Sequence, residues 1–119
     1  MLEKLAKMSA RNVMIALSGR PPAYGEQPRW LRSLAERLGI SVRMTRSIWN
    51  EEIRDPEHWA IKKVRREAEL NEARKEAAAL AQQYQTIAGG MRAQDENFYR
   101  SEIDRLERLA RIIGGLDRA

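Results

Sequence analysis

The feature that most constrains the fold is a long stretch without helix-breaking residues. After Pro56 the chain has neither proline nor glycine until Gly89, and most residues between them have high helix propensity. Asp55, Pro56 and Glu57 suit a helix start, because Asp can cap a helix, Pro fits the first position and Glu favours the N-terminal dipole. The sequence therefore predicts one long helix over about residues 56–87.

The second half of this predicted helix needs a partner helix. It carries apolar or small residues at heptad spacing, namely Leu70, Ala73, Ala77, Leu80, Tyr84 and Ile87. A last predicted helix, over about residues 95–113, has the same spacing at Tyr99, Ile103, Leu106, Ala110 and Ile113. Such seams are buried against each other, so the two helices can pair as an antiparallel hairpin or across a dimer. The residues expected to oligomerise the chain are Leu70, Leu80, Tyr84, Ile103, Leu106 and Ile113.

Two glycine pairs occur in this region, in the segments IAGGM at 87–91 and IIGGL at 112–116. Neither follows a strand, and neither has the spacing of a phosphate-binding loop. A helix that stops at glycine, followed by an apolar residue that folds back, is the common use of this pattern. We therefore expect two helix C-caps, with a loop over residues 89–95 between the last two helices.

The N-terminal part of the chain predicts three further helices. The first covers about residues 2–17, can break near Ser9 and ends at Gly19. After a loop over residues 20–28, the second ends at Gly39 and buries one face, made of Trp30, Leu31, Leu34, Ala35 and Leu38. Ser41 can cap the third helix. That helix is expected to extend to about Asn50 and to bury Val42 or Thr45 together with Ile48 and Trp49.

These patterns predict an all-α fold, because no stretch shows the sustained alternation of a half-buried strand. Residues 1–66 are expected to form a three-helix N-terminal region with a helix–turn–helix, and residues 67–119 a helical oligomerisation region. A chain of 119 residues suits one compact domain or a small domain with one appended element.

Charge is distributed unevenly along the chain. Its 22 basic and 17 acidic residues give a net charge of +5, which favours polyanionic partners such as nucleic acid. Residues 1–66 hold 14 basic and 7 acidic side chains, a net charge of +7, whereas residues 67–119 hold 8 and 10, a net charge of −2. The basic surplus therefore lies in the N-terminal region.

Other features narrow the class of protein. The chain has no cysteine, which excludes disulfides and thiolate metal sites. No apolar run reaches the roughly 18 residues that suggest a membrane span, and the N-terminal segment is too short and too interrupted for a secretory signal. We therefore expect a soluble, cytoplasmic protein.

No set of residues predicts an enzyme. His58 is the only histidine, no second ligand is available to share a metal with it, and we expect it to face solvent or a neighbouring loop. Carboxylates alternate with Arg and Lys along the helices in the manner of a solvated face, as in EAELNEARKEA. We expect no catalytic site, no metal and no cofactor.

The segment LGISVRMTRSIWNEE, residues 38–52, joins the second and third predicted helices. A corner used only for packing is one interpretation, but Arg, Ser and Asn occupy the exposed positions of the third helix. Ala35, four residues before Gly39, is small enough for the two helices to cross closely. Through LAERLGIS followed by SIWN, residues 29–55 resemble the phage-repressor and Cro-like (XRE-type) helix–turn–helix family. The resemblance covers about a quarter of the chain.

The resemblance implies that the third helix is a recognition helix in the major groove of double-stranded DNA. Arg43 is the residue expected to read sequence, because a guanidinium can bond guanine in bidentate fashion. Asn50 matches a position that commonly bonds a phosphate, and Trp49 matches the family's buried aromatic residue. The residues expected to contact DNA are Ser41, Val42, Arg43, Arg46, Ser47 and Asn50, together with Arg29 and Arg32.

A second basic cluster follows the third helix by about ten residues and consists of Lys62, Lys63, Arg65 and Arg66. Such a run is by default a solvated helix face. Its position would also let Lys62 and Lys63 reach the phosphate backbone in the same complex, and we include these two lysines in the expected DNA-binding set.

Together these expectations describe a sequence-specific, double-stranded DNA-binding transcriptional regulator, such as a repressor, that acts as a homodimer by occupying an operator. The resemblance implies a bacterial, phage or mobile-element setting and association with the nucleoid. One alternative is a structural DNA-packaging protein similar to the small subunit of a terminase. The other is a helical interaction adaptor that binds a protein and not DNA.

Overall fold

The computed structural model describes residues 2–116, and within that range all regular secondary structure is helical. The helices are α1 (Leu2–Lys7), α2 (Ala10–Ser18), α3 (Gln27–Leu38), α4 (Val42–Trp49), α5 (Trp59–Asp95) and α6 (Arg100–Leu116). The predicted all-α class is confirmed, as is a long helix against which the C-terminal helix packs. Two compact units divide after Glu72, and we call them the N-terminal unit and the C-terminal unit.

The predicted first helix is divided into α1 and α2 at Ser9. The Oγ of Ser9 accepts a hydrogen bond from the Asn12 amide at 3.2 Å, which caps α2. Gly19 ends α2 with φ of 95°, in the left-handed region, and its N–H donates to the Ile15 carbonyl. Both the break near Ser9 and the stop at Gly19 are therefore confirmed.

The core of the N-terminal unit is formed by α2, α3, α4 and the first part of α5. The predicted face of α3 is confirmed, because all five of its members are buried. In α4 the alternative between Val42 and Thr45 is resolved: Val42 is half-buried and Thr45 fully buried. The Thr45 hydroxyl donates to the Ser41 carbonyl at 2.9 Å, so its burial leaves no unsatisfied donor.

The long helix α5 begins at Trp59, and the predicted start at Pro56 is wrong. The Asp55 carbonyl instead accepts a hydrogen bond from the His58 amide at 3.0 Å, which closes a turn before the helix. His58 Nδ1 then accepts a hydrogen bond from the Ala60 amide at 3.1 Å. The side chain that caps the first turn of α5 is therefore an imidazole and not the Asp55 carboxylate.

The prediction of C-caps at the two glycine pairs is also wrong. α5 continues through Gly89 and Gly90 to Asp95, and Gly114 lies within α6. The chain instead turns over residues 96–99, so the predicted loop over residues 89–95 is helical. Glycine in a helix costs about 1 kcal/mol relative to alanine, and packing between the two helices must offset that cost.

Small residues fill the interior of the C-terminal unit, in which α6 packs antiparallel to the second half of α5. Ala81 and Ala88 of α5 are buried, as are Ile103 and Ala110 of α6. A Cβ built on Gly114 would lie 3.8 Å from the Ala81 Cβ, so the two backbones approach closely there. The predicted seam on α6 is at least half-buried along its length.

On α5 the buried seam differs by one residue from the predicted one. Leu80 and Ile87, which were expected inside the seam, are 39% and 47% exposed. The alanines that follow them are buried instead, because close helix packing accepts small side chains and excludes large ones. The predicted oligomerisation residue Ile103 lies inside this hairpin at 2% exposure.

A polar edge closes one side of the hairpin. Arg92 of α5 forms ion pairs with Glu107 of α6 and with Glu96 in the turn. The hydrogen bond from Arg92 to Glu107, and then the charge of that carboxylate, raise the pKa of Arg92 above its ordinary value. Arg92 and Glu96 are exposed and Glu107 is half-buried, so the pairs orient the hairpin more than they stabilise it.

We expect Ala81→Leu to lower the free energy of unfolding by about 1–3 kcal/mol, because the added side chain overpacks the narrow seam. Urea unfolding followed by circular dichroism measures this effect. Ala79→Leu is the matched control, because Ala79 is exposed on the same helix. An equal loss in both variants would contradict the close approach of α5 and α6.

In the part of the chain that the structure describes, each helix is too short or too polar to cross a bilayer.

Candidate nucleic-acid interface

The turn between α3 and α4 depends on Gly39. Its φ of 70° and ψ of 30° are left-handed, a conformation that glycine adopts without a steric penalty. The Gly39 and Ile40 amides both donate to the Ala35 carbonyl, at 2.9 and 3.2 Å. Ala35 itself is 2% exposed. The glycine and the small residue four positions earlier thus let α3 and α4 cross closely.

Ser41 starts α4 through its side chain. Its Oγ accepts a hydrogen bond from the Met44 amide at 3.0 Å, as expected for an N-cap. Ser41 is exposed and directly precedes the first residue of α4. Its hydroxyl is nevertheless engaged by the backbone, which leaves it only part of its hydrogen-bonding capacity for another ligand.

The outer face of α4 carries the residues that were expected to contact DNA. Arg43, Arg46 and Asn50 are exposed, while Val42 and Ser47 are half-buried. The opposite face is core, and consists of Thr45, Ile48 and Trp49. Helical periodicity therefore separates a polar outer face from a buried inner face over only eight residues.

Arginines from two helices are available in this unit. Arg29 and Arg32 of α3 are exposed, as are Arg43 and Arg46 of α4. Among residues 2–116, none of these four guanidinium groups has a carboxylate within 4.0 Å. Their charges are therefore not compensated by ion pairs within the described chain, which suits them to an external anion.

The four residues of the second basic cluster have different surroundings. Lys62 pairs with Glu57 at 2.7 Å on the surface. Lys63 is half-buried, and its Nζ lies 3.3 Å from the position of a Cβ built on Gly39, beside the α3–α4 turn. Arg66 is exposed. The cluster is thus not a uniform basic face.

Arg65, the fourth member of the cluster, has a structural role. Its Nη1 donates to the Leu5 carbonyl at 3.2 Å and its Nη2 to the Met8 carbonyl at 3.0 Å. It thereby binds two carbonyl groups at the C-terminal end of α1, of which the Leu5 carbonyl also accepts a hydrogen bond from the Met8 amide. Sequence reasoning missed this role, because the two partners lie 57 and 60 residues away.

Trp49 belongs to the core beneath the outer face of α4. It is 6% exposed, and its ring packs edge-to-face on Trp30 with centroids 4.9 Å apart. The Arg11 guanidinium lies 4.2 Å from the ring centroid, within the range of a cation–π interaction. Trp30 is also buried and donates to the Arg20 carbonyl, whereas Tyr24 is fully exposed.

His58 has a structural role at the start of α5. His58 is half-buried, stacks on Trp59 at 5.8 Å and caps α5. Across residues 2–116, no three histidine, aspartate or glutamate side chains come together in a way that could hold a metal ion.

Comparisons with known proteins assign no family to the chain. No protein-family model matches it, and neither a search of curated proteins nor a search of solved structures finds a match.

Proposed function

We propose that the chain is a sequence-specific, double-stranded DNA-binding transcriptional regulator that acts as a homodimer by occupying an operator. The observation that supports it most is the outer face of α4, where Arg43, Arg46 and Asn50 project from a helix held by a buried inner face. Exposed side chains on a rigid helix that follows a tight glycine turn suit the reading of base edges in a major groove. The protein would then act in the cytoplasm, on the nucleoid.

Each exposed residue has a role in this proposal. Arg43, near the start of α4, bonds guanine, and Arg46 lies one turn further along the groove. Asn50, with Arg29 and Arg32 of α3, contacts phosphates, which fix the orientation of the helix without reading sequence.

The two lysines beside α4 also contact phosphates. Lys63 lies next to the α3–α4 turn, which leads into the proposed groove-binding helix. Lys62 would have to leave its surface pair with Glu57. Such exposed pairs contribute about 0–1 kcal/mol, so exchanging this pair for a phosphate costs little.

We expect Arg43→Ala to remove about 1–3 kcal/mol of discrimination at one base pair. Lys63→Ala is the matched comparison, because loss of a phosphate contact should weaken binding to all sequences similarly and reduce the salt dependence by roughly one unit. Fluorescence anisotropy with a selected duplex and single-base variants of it measures both effects. Retained preference in Arg43→Ala would contradict the role assigned to this residue.

Dimerisation is proposed through one side of the C-terminal unit. Leu80 and Ile87 each precede a buried alanine of α5, and Leu109 precedes the buried Ala110 of α6. In an antiparallel helix pair, the residues that directly precede the seam residues of the two helices lie on the same side of the pair. We call this side the apolar edge, and its members are Leu80, Tyr84, Ile87, Leu106, Leu109, Ile112 and Ile113.

The opposite side of the hairpin is polar, and holds the pair between Arg92 and Glu107. On the apolar edge, Leu80, Ile87, Leu109 and Ile112 are between 37% and 60% exposed. Two copies joined by this edge would bury it within four helices. A second copy is the partner that operator binding requires, since two recognition helices about 34 Å apart match one turn of DNA.

We expect light scattering to give the mass of a dimer for the full chain. The double variant Leu80→Gln with Leu109→Gln should be monomeric and should bind operator DNA far more weakly. Gln82→Ser with Gln85→Ser, on the polar side, is the control and should remain dimeric. A stable monomer of the unmodified chain would contradict the dimer, and a ring of eight or more subunits would instead favour the packaging alternative.

A further inference from the structure

A cleft of about 350 Å³ opens in the N-terminal unit behind the outer face of α4. Its walls come from the start of α2, the end of α4, the segment that follows α4 and the first part of α5. Three arginines line it, Arg11, Arg54 and Arg65, and the only acidic side chain among its lining residues is that of Glu51. The cleft therefore carries a surplus of positive charge.

The three arginines leave different hydrogen-bonding capacity for a ligand. Both terminal nitrogens of Arg65 donate hydrogen bonds to backbone carbonyls. Arg54 donates to the Glu51 carbonyl through Nε alone, so its two terminal nitrogens remain. Arg11 lies over the Trp49 ring and is exposed. Arg54 and Arg11 are thus the two groups positioned to bind an anion, with Arg65 supplying further positive potential.

The base of the cleft is apolar. Ile48 and Ile61 are only 1% and 2% exposed, so the apolar residues that a ligand can reach are the half-buried Ala10 and Ile53 and the exposed Pro56. Small-molecule sites combine apolar surface with a few polar groups, and this volume lies near the lower end of their usual range of about 300–1,000 Å³.

We propose that the cleft binds an amphipathic anion, a small molecule with one carboxylate, sulfonate or phosphate group on an apolar body. The anionic group bonds Arg54 and Arg11, because guanidinium groups match the geometry of such oxyanions. The apolar body packs on Ala10, Ile53 and Pro56, the apolar lining residues that are at least partly exposed. A purely inorganic anion would leave these side chains uncovered, and an uncharged apolar molecule would leave the arginines unpaired.

The position of the cleft also gives the ligand a means of regulating α4, a role that rests on the proposed function. Ile48 belongs to α4, and Arg11 contacts the neighbouring Trp49. A ligand that draws Arg11 away from Trp49 changes the support of the recognition helix. Binding of ligand and of DNA is then coupled, and by linkage the coupling is reciprocal.

The probe for the site is 8-anilinonaphthalene-1-sulfonate, which has one sulfonate on an apolar body. Its fluorescence is titrated with the full chain carrying Leu80→Gln and Leu109→Gln, so that the apolar edge does not compete. We expect one probe per chain and a loss of affinity of about tenfold in Arg54→Gln, which corresponds to about 1.4 kcal/mol. Arg108→Gln, an exposed arginine of α6, is the control and should bind as the parent does.

Two further measurements locate the probe and distinguish a failure of the proposed anion site from a failure of its regulatory role. With isoleucine-methyl labelling, we expect NMR shifts at Ile48, Ile53 and Ile61 and not at Ile112. Equal affinity in Arg54→Gln and its parent, or equally tight binding of the uncharged N-phenylnaphthylamine, would overturn the anion site whatever the DNA results. Unchanged affinity for DNA at saturating probe would overturn only the regulatory role.

Discussion

Trp49→Ala is expected to lower the free energy of unfolding by about 3–5 kcal/mol, the usual loss when a large buried aromatic side chain is truncated. Trp49 is 6% exposed and packs on Trp30, so its removal opens a cavity directly beneath α4. Most single domains have a total stability of about 5–15 kcal/mol. The variant should therefore be close to unfolded at moderate temperature, as measured by urea titration with tryptophan fluorescence and circular dichroism.

Trp59→Ala is the matched control for this experiment. Trp59 is the same residue type, lies in the same unit and is 57% exposed, so its loss should cost less than about 1 kcal/mol. Equal losses for the two variants would indicate a general sensitivity to tryptophan replacement. A fully stable Trp49→Ala variant would instead contradict the assignment of this residue to the core.

Reversal of two charges on α4 is expected to give the second large effect. Arg43→Glu with Arg46→Glu should weaken binding to duplex DNA by more than about 100-fold, because two contacts worth about 1–3 kcal/mol each are lost and two repulsive charges are added. Both residues are exposed, so the fold should survive. Anisotropy titration at fixed salt, with circular dichroism on the same samples, measures the two properties together.

The control for this variant changes the net charge by the same amount. Arg108→Glu with Arg111→Glu replaces two exposed arginines of α6, outside the N-terminal unit. It should reduce affinity only through the overall charge, by a much smaller factor that disappears as salt rises. If the two double variants bind DNA equally weakly, binding depends on net charge and not on the outer face of α4.

The features that the sequence predicted correctly are those set by neighbouring residues. The helix breaks near Ser9, Ser41 caps α4 through the amide three positions later, and Gly19 and Gly39 end helices in the left-handed region. The buried face of α3 follows directly from the spacing of its apolar residues. Each of these signals depends on a few consecutive residues, and so it can be read without knowledge of the tertiary structure.

The start of α5 was missed because of a local turn between Asp55 and His58, but the other errors concern choices that distant residues decide. Gly89 and Gly90 remain helical because α6 packs along α5, which a local stop signal does not reveal. Leu80 was expected in the seam with a partner helix and Ala81 was not among the expected seam residues, but at the close approach of the two helices near Gly114 it is Ala81 that is buried. Hydrophobicity therefore predicted the presence of a seam and its residues on α6, but not the side chains that fill it on α5.

In the candidate interface, too, some features are set by neighbouring residues and others by residues that are distant in the sequence. The exposure of Arg43 and Arg46 follows from the helical period once Ile48 and Trp49 are buried. By contrast, the contact between Arg11 and Trp49 joins residues that are far apart in sequence. Arg37 likewise donates to the Leu17 carbonyl and to Asn71, which lie 20 and 34 residues away in the sequence.

The measurement that tests the central claim most directly is selection of duplexes from a random-sequence pool by the purified full chain. The proposed function predicts enrichment of a two-fold symmetric motif, with two half-sites whose centres are about 10 base pairs apart. It also predicts that Arg43→Ala changes the preferred base at one position of each half-site. Salt-sensitive binding to every sequence without enrichment, or no binding to duplex DNA at all, would contradict it.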